Sequence, residues 1–155
     1  MSEPDPERTD LERKVRELWD RDRIARLART YSRGVDRRDW AMVRSVFADG
    51  AMVEGSRATA PVDDYIVQLR PGVEHFGTTM HFMGNQLVEV DGDRGFVETY
   101  CVAFHWKGQP AGDDDPANLV VGVRYHDTVE RAGDGWLITH RHVDPDWRVG
   151  PYPET

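Results

Sequence analysis

Three residues of this sequence have side chains that could move a proton or stabilise a charge, and all three have apolar neighbours. His81 stands in the run TTMHFMGN, residues 78–85, Tyr31 lies among spaced apolar residues, and Asp36 directly follows RGV. An imidazole can act as a general base near neutral pH because its unperturbed pKa is about 6.5. A carboxylate can orient such a ring, and a phenol can donate a hydrogen bond to developing negative charge.

Each of these residues also has an ordinary structural interpretation. A histidine in an apolar strand often bonds a backbone carbonyl, and so does a tyrosine on the buried side of a helix. Asp36 is followed by Arg37, Arg38 and Asp39, so it could belong to an exposed charged loop. The local sequence leaves these alternatives open, because only the fold determines whether the three side chains meet.

Metal ligation is the less favoured chemistry. The candidate histidines are His81, His105, His126, His140 and His142, and they show no HxxxH or HExxH spacing. His140 and His142 are two residues apart on one strand, so both point to the same face and could hold a metal in principle. The only cysteine, Cys101, excludes an intrachain disulfide and a Cys-based zinc site. Because phosphate-cradling loops and a nucleophile elbow are also absent, we predict no metal and no cofactor.

Composition limits the class of protein. The chain has 155 residues, enough for one domain, with 39% hydrophobic and 31% charged residues. Its formal net charge of -8 argues against a nucleic-acid surface, which requires clustered Lys and Arg. The N-terminus MSEPDPERTD lacks the apolar core of a secretory signal, and no apolar run approaches the roughly 20 residues of a membrane span. We therefore expect a cytoplasmic protein that binds neither nucleic acid nor membrane.

Helical periodicity dominates the first half of the chain. Residues 1–10 are predicted to be a flexible tail, and residues 11–20 a short amphipathic segment. A longer helix follows, with apolar residues at i, i+3, i+4, i+7 and i+11: Ile24, Leu27, Ala28, Tyr31 and Val35. Asp39 can cap a second short helix. Thr59 is the expected cap of a third, with Pro61 in its first turn.

The second half has the pattern of long strands. Four candidates span residues 78–90, 95–107, 118–131 and 136–147, and DGDRG and AGDGW are hairpin signals between them. Helices followed by a meandering antiparallel sheet predict an α+β fold. A single domain over residues 11–150 would hold all of these elements, followed by a C-terminal tail at residues 151–155.

Three segments resemble the SnoaL-like branch of the nuclear transport factor 2-like superfamily, which contains scytalone dehydratase, hexachlorocyclohexane dehydrochlorinase and bile-acid 7α-dehydratase. They begin YSRGVDRRDW, TTMHFMGNQL and VGVRYHDTVE, and the resemblance covers roughly residues 12–148. It implies a cone-shaped α+β barrel, in which a bent antiparallel sheet wraps around three N-terminal helices and encloses a mostly apolar pocket. It also implies homodimers or homotrimers that assemble through the outer sheet face.

The resemblance assigns roles to particular residues. Asp36 and His81 match the aspartate and histidine that the enzymes of this branch use, and Tyr31 matches a tyrosine of the dehydratases. His105 falls near a second cavity histidine, and Arg141 matches an arginine that binds the leaving group in the dehydrochlorinase. The remaining expected substrate-binding residues are Tyr125, Trp40 and Phe104.

The function that this resemblance implies is a cofactor-independent lyase of the dehydratase type, or an isomerase. The substrate would be a small, mostly apolar carbonyl compound such as a polyketide, steroid or aromatic metabolite. The alternative is a non-catalytic ligand-binding or scaffold protein of the same fold, such as a ring-hydroxylating dioxygenase β subunit. A third possibility, an isomerase with a carboxylate base, ranks lower because the base candidate here is an imidazole.

Overall fold

Three helices precede most of a six-stranded sheet in the computed structural model, which describes residues 6–56, 58–108 and 114–153. In chain order the elements are α1 (Pro6–Arg37), α2 (Trp40–Arg44), β1 (Phe47–Glu54), β2 (Thr59–Pro61), α3 (Val62–Glu74), β3 (Thr78–Asp91), β4 (Arg94–Trp106), β5 (Leu119–Ala132) and β6 (Gly135–Val149). The predicted α+β class is confirmed.

Helix α1 is one continuous element of 32 residues, where the sequence predicted a tail and two separate segments. Its first turns occupy residues 6–10, which were expected to be part of the tail, while residues 1–5 lie outside the described residues. Within the charged stretch at residues 20–23, two side chains that lie on the helix bind partners in the sheet. Asp20 accepts hydrogen bonds from Arg131 and Trp136, and Arg21 donates one to the carbonyl of Val88.

The two following helices agree with the sequence to different degrees. Asp39 caps α2 as predicted, since its side chain accepts a hydrogen bond from the backbone N–H of Met42 at 2.9 Å. Thr59 does not cap α3. It lies in the short strand β2, where Ala60 pairs with Val53 of β1, and the helix begins after Pro61. Strand pairing thus uses the residues expected to start the helix.

The sheet has the strand order β2-β1-β6-β5-β4-β3. All neighbouring strands are antiparallel except β1 and β6, which run parallel, so the sheet is mixed rather than wholly antiparallel. The register shifts within the β1–β6, β3–β4 and β5–β6 pairs, and such irregularities bend a sheet. The bent sheet stays open, and with the helices against it forms the predicted cone.

The two faces of the sheet differ in burial. On β4 the residues Val97, Thr99, Cys101 and Ala103 are buried against the helices. On the opposite, outer face, large apolar side chains remain exposed, among them Phe82, Tyr100 and Trp147. Assembly of copies through this outer face stays a prediction.

None of the helices in the described part of the chain is long and apolar enough to cross a membrane.

Candidate active site

Asp36 and His81 form a hydrogen-bonded pair. Oδ1 of Asp36 lies 2.7 Å from Nδ1 of His81, and Oδ2 accepts the backbone N–H of His81 at 2.9 Å. Thr79 donates its hydroxyl to Oδ1 at 3.0 Å. The carboxylate therefore holds both the ring and the backbone of His81, and the Nδ1 contact leaves Nε2 as the nitrogen that can meet a ligand.

The last turn of α1 supplies the carboxylate, and β3 supplies the imidazole. Asp36 is the second-last residue of α1, which ends where Arg38 takes a left-handed conformation with φ of 56°. The Arg38 guanidinium donates to the carbonyls of Asp36 and Phe76, at 3.0 and 2.9 Å, and so fastens this turn. Thr79 and His81 are two residues apart, so both point to the same sheet face.

The pKa of Asp36 reflects two opposing effects. Burial alone would raise it, but the hydrogen bonds and charge of His81 outweigh burial, and the pKa lies below its usual value. Only 8% of the His81 side chain and 23% of the Asp36 side chain are exposed. The carboxylate is therefore ionised at neutral pH, in surroundings where it can stabilise an imidazolium.

His81 opens onto a cavity of about 480 Å³ between the helices and the concave face of the sheet. Its apolar wall includes Leu69, Val73, Phe76, Val121 and Val123, and its polar groups include Tyr31, Tyr65, Gln68 and Tyr125. Among the described residues, no Asp, Glu, Lys or Arg lines this cavity. The cavity therefore suits a neutral, mostly apolar molecule.

His105 lies beside His81 in the cavity wall. The two rings meet edge to face with centroids 5.4 Å apart, and the Phe76 ring lies 5.1 Å from that of His105. Burial, followed by the neighbouring His81, lowers the pKa of His105 to about 4. Its Nδ1 is buried without a hydrogen-bond partner in the described structure. His105 is thus a neutral ring at physiological pH.

Two of the predicted tyrosines meet in the cavity wall. The rings of Tyr31 and Tyr125 pack edge to face with centroids 5.9 Å apart. Burial raises the pKa of both phenols well above 10, and the adjacent Tyr65 contributes to the rise for Tyr31. Both phenols therefore stay protonated. The Tyr31 hydroxyl has a side-chain hydrogen bond with Tyr65, and the Tyr125 hydroxyl has one with Cys101, so a ligand oxygen would replace these partners.

Arg141 does not reach the cavity, contrary to the prediction that it binds the substrate. It is completely buried in a bidentate ion pair with Asp127, with both N–O distances 2.7 Å. Its guanidinium packs against the rings of Tyr31, Tyr125 and Phe47. The Arg141 side chain is therefore separated from any ligand by aromatic rings.

Trp40 and Phe104 also lie away from the cavity. Trp40 donates its indole N–H to Glu74 at 3.1 Å, and the Arg70 guanidinium lies over its ring. Phe104 is adjacent in sequence to His105, so the alternation of the strand directs it to the outer sheet face, where it stacks on Trp106. Neither side chain is placed to contact a ligand beside His81.

The histidines of the outer face bond to carboxylates. Oε1 of Glu54 lies 2.9 Å from Nε2 of His140, and Oε2 of Glu54 lies 3.0 Å from Nδ1 of His142. Within the described ranges, no cluster of three or more His, Cys, Asp or Glu side chains has the arrangement that a metal ion requires.

Sequence reasoning missed Thr79, Tyr65 and Asp127. Thr79 could have been found, because it precedes His81 by two residues on a strand. Asp127 also carried a signal: it shares the buried parity of Val123 and Tyr125, where a charge needs a partner. Tyr65 carried no such signal, because nothing in the sequence places a hydroxyl of α3 near Tyr31.

Comparisons with known proteins agree with this architecture. A family model for the SnoaL-like domain matches residues 16–142. An uncharacterized protein of Mycobacterium tuberculosis (strain ATCC 25618 / H37Rv) is 30% identical over 134 residues, which cover 82% of this chain and 86% of that protein.

Two solved structures show the same fold. An NTF2-like protein of Novosphingobium aromaticivorans with a cystatin-like fold has a TM-score of 0.71 at 23% identity, covering 92% of this chain and 90% of that one. The structure of a hexachlorocyclohexane dehydrochlorinase (LinA) type 2 has a TM-score of 0.73 at 17% identity, covering 92% and 97%. With the family match over residues 16–142, this chain belongs to the SnoaL-like family.

Proposed function

We propose that this protein is a cofactor-independent lyase of the dehydratase type, or an isomerase, acting on a small and mostly apolar carbonyl compound. The observation that carries the proposal is the 2.7 Å contact between Asp36 and His81 at the wall of an apolar cavity. Family membership is consistent with the proposal. So is the structural likeness to a dehydrochlorinase, since that name describes an elimination reaction.

In the proposed reaction His81 is the general base. Nε2 takes a proton from the carbon next to the substrate carbonyl, and the C–H electron pair forms an enolate. Tyr31 donates a hydrogen bond to the enolate oxygen. The enolate then expels a hydroxyl group, which leaves as water with the proton from His81, or it is reprotonated at another carbon. Asp36 fixes the ring tautomer and stabilises the imidazolium between these steps.

The cavity narrows the substrate class. Its volume of about 480 Å³ falls in the usual range for a small-molecule site, and its described lining has no charged side chain. A ligand with a carboxylate or phosphate would lose its hydration there without gaining a countercharge. Neutral ring compounds with one or two oxygens fit these conditions.

A non-catalytic ligand-binding or scaffold function is the second candidate. The exposed apolar side chains of the outer sheet face favour it, because such a surface suits contact with other subunits. A scaffold requires that surface but does not require the Asp36–His81 pair.

Deuterium exchange tests the catalytic proposal without knowledge of the natural leaving group. Neutral cyclic enones and aryl ketones are incubated with the protein in D₂O, and exchange next to the carbonyl is followed by NMR. We expect the wild-type protein to accelerate exchange on at least one ketone. His81→Gln should lose about 10²–10⁴-fold of that acceleration, the range for a positioned base. Asp36→Asn should lose a large part of it.

His142→Gln is the matched control, since His142 also bonds a carboxylate but lies on the outer face. It should exchange at the wild-type rate. The catalytic proposal is rejected if wild type and His81→Gln exchange every ketone equally fast.

A further inference from the structure

The ion pair between Arg141 and Asp127 is completely shielded from water. Both side chains have zero exposure, and two parallel hydrogen bonds of 2.7 Å join them. Nη1 of Arg141 is buried without a hydrogen-bond partner in the described structure. Burying two charges this way seldom stabilises a protein relative to apolar residues of similar volume. A role other than stabilising the fold would explain why this ion pair is buried.

The surroundings of the guanidinium indicate that role. Cζ of Arg141 lies 4.3 Å from the ring centroid of Tyr31 and 4.6 Å from that of Tyr125. Both tyrosines line the cavity, whereas Arg141 does not. The positive charge is thus packed directly behind two cavity phenols, while Asp127 binds the guanidinium at its edge.

A charge in this position acts through the phenols. When a phenol donates a hydrogen bond to an anionic oxygen, negative charge shifts towards the phenol ring and oxygen. A guanidinium against the ring stabilises that charge without screening by water, while the countercharge of Asp127 opposes the effect. The pKa of each phenol is raised mainly by burial, and Arg141 opposes the rise in both.

We propose that Tyr31 and Tyr125 form an oxyanion-binding site whose strength comes from Arg141, held in place by Asp127. Its ligand is the enolate or phenolate oxygen of an otherwise neutral compound. Arg141 and Asp127 are positioning residues, since they touch no ligand. This inference rests on the proposed function for its biological meaning, but the site can be tested without catalysis.

The test measures how the cavity binds a phenolate. 4-Nitrophenol is a neutral phenol that becomes a yellow anion, so absorbance reports which form is bound. For the wild-type protein we expect the pKa of the bound phenol to lie below its free value. In the double variant Asp127→Leu/Arg141→Met, the ratio of bound phenolate to phenol should fall about tenfold or more at the same pH. Replacing both charges avoids leaving one unpaired, and thermal unfolding checks that the variant is folded.

Two further variants separate an electrostatic role from a structural one. Asp127→Asn keeps the guanidinium but removes its countercharge, so bound phenolate should increase relative to wild type. In a Tyr31→Phe/Tyr125→Phe background, the change caused by replacing the ion pair should largely disappear, since the pair acts through the phenols. His81→Gln should leave the effect of the ion pair intact.

The proposal is overturned if 4-nitrophenol does not bind to the wild-type protein. It is also overturned if wild type and Asp127→Leu/Arg141→Met bind the same ratio of phenolate to phenol. Should the double variant fail to fold, a lack of increase in Asp127→Asn overturns it as well. Deuterium exchange can fail while these results hold, so the oxyanion site and the catalytic function are tested separately.

Discussion

At the scale of single residues, the cavity gives its two histidines different properties. His81 has a carboxylate on Nδ1, whereas His105 has an unpartnered buried Nδ1 and a pKa of about 4. His81 therefore contacts a carboxylate directly, and His105 does not. His105 is placed to shape the cavity as a neutral ring.

The pKa of His105 predicts a specific sensitivity to acid. In the unfolded chain the residue titrates near pH 6.5, and in the folded protein near 4, so the unfolded state binds more protons between these values. The contribution of His105 to the free energy of unfolding should therefore be complete above pH 6.5 and fall as the pH drops towards 4. Between pH 7 and pH 5, the titration of His105 should lower the free energy of unfolding by about 2 kcal/mol.

Urea unfolding at pH 7 and pH 5 checks this prediction. From pH 7 to pH 5, the free energy of unfolding of His105→Gln should fall by about 2 kcal/mol less than that of wild type, because the variant lacks this titrating group. His140→Gln is the control, because it removes a histidine from the outer face and leaves His105 intact. An acid loss in His105→Gln as large as in wild type would contradict the assignment.

At the scale of elements, the contact between α1 and α2 places Asp36. Gly34 lies two residues before Asp36 and is buried against α2. A Cβ at this position would lie 2.8 Å from Cγ2 of Val43 and 2.9 Å from its backbone nitrogen. The end of α1 can therefore approach α2 this closely only with glycine.

Gly34→Ala should lower the free energy of unfolding by about 1–3 kcal/mol, because the backbone of α2 has to move. Gly72→Ala in α3 is the matched control, since a Cβ there has nothing within 4 Å. In that helix alanine should be neutral or stabilise by up to about 1 kcal/mol. Chemical denaturation of both variants measures the difference, and equal stabilities would show that α1 and α2 are not closely packed.

At the scale of the whole molecule, Asp20 joins the first helix to the last hairpin. Its carboxylate accepts two hydrogen bonds from Arg131 of β5, at 3.0 and 2.9 Å, and one from the indole of Trp136 of β6 at 2.9 Å. The hydrogen bonds of Arg131 are the main reason that the pKa of Asp20 lies below its usual value. These contacts link residues more than a hundred positions apart.

Asp20→Asn should reduce the free energy of unfolding by about 2 kcal/mol at pH 7, because a buried charge-assisted contact is lost. Asp22→Asn provides the comparison. Asp22 lies on the same helix and pairs with the exposed Arg26 and Arg29, so its loss should stay within about 0.5 kcal/mol. The Asp20 penalty should disappear in acid, where wild type loses the same carboxylate charge. Persistence of the full difference near pH 2 would contradict the ionic explanation.

Much of the architecture follows from the sequence, because periodicity is a local property. The four long strands, the hairpin turns and the cap at Asp39 were predicted from neighbouring residues alone. The continuity of α1 and the strand β2 were not, since both depend on distant partners: Arg131 and Trp136 for Asp20, and Val53 for Ala60. Local propensity contains no information about those contacts.

The candidate site divides in the same way. The sequence by itself determined which residues could do chemistry, and its family resemblance related Asp36 to His81 across 45 positions. Only the tertiary structure decided that Arg141 lies behind Tyr31 and Tyr125 rather than in the cavity, and that Trp40 and Phe104 lie outside it. The physical reason is that side-chain direction depends on how strands and helices pack, and a buried charge is placed by its partner. For Arg141 that partner is Asp127. Their ion pair is buried, so it contacts neither water nor a ligand.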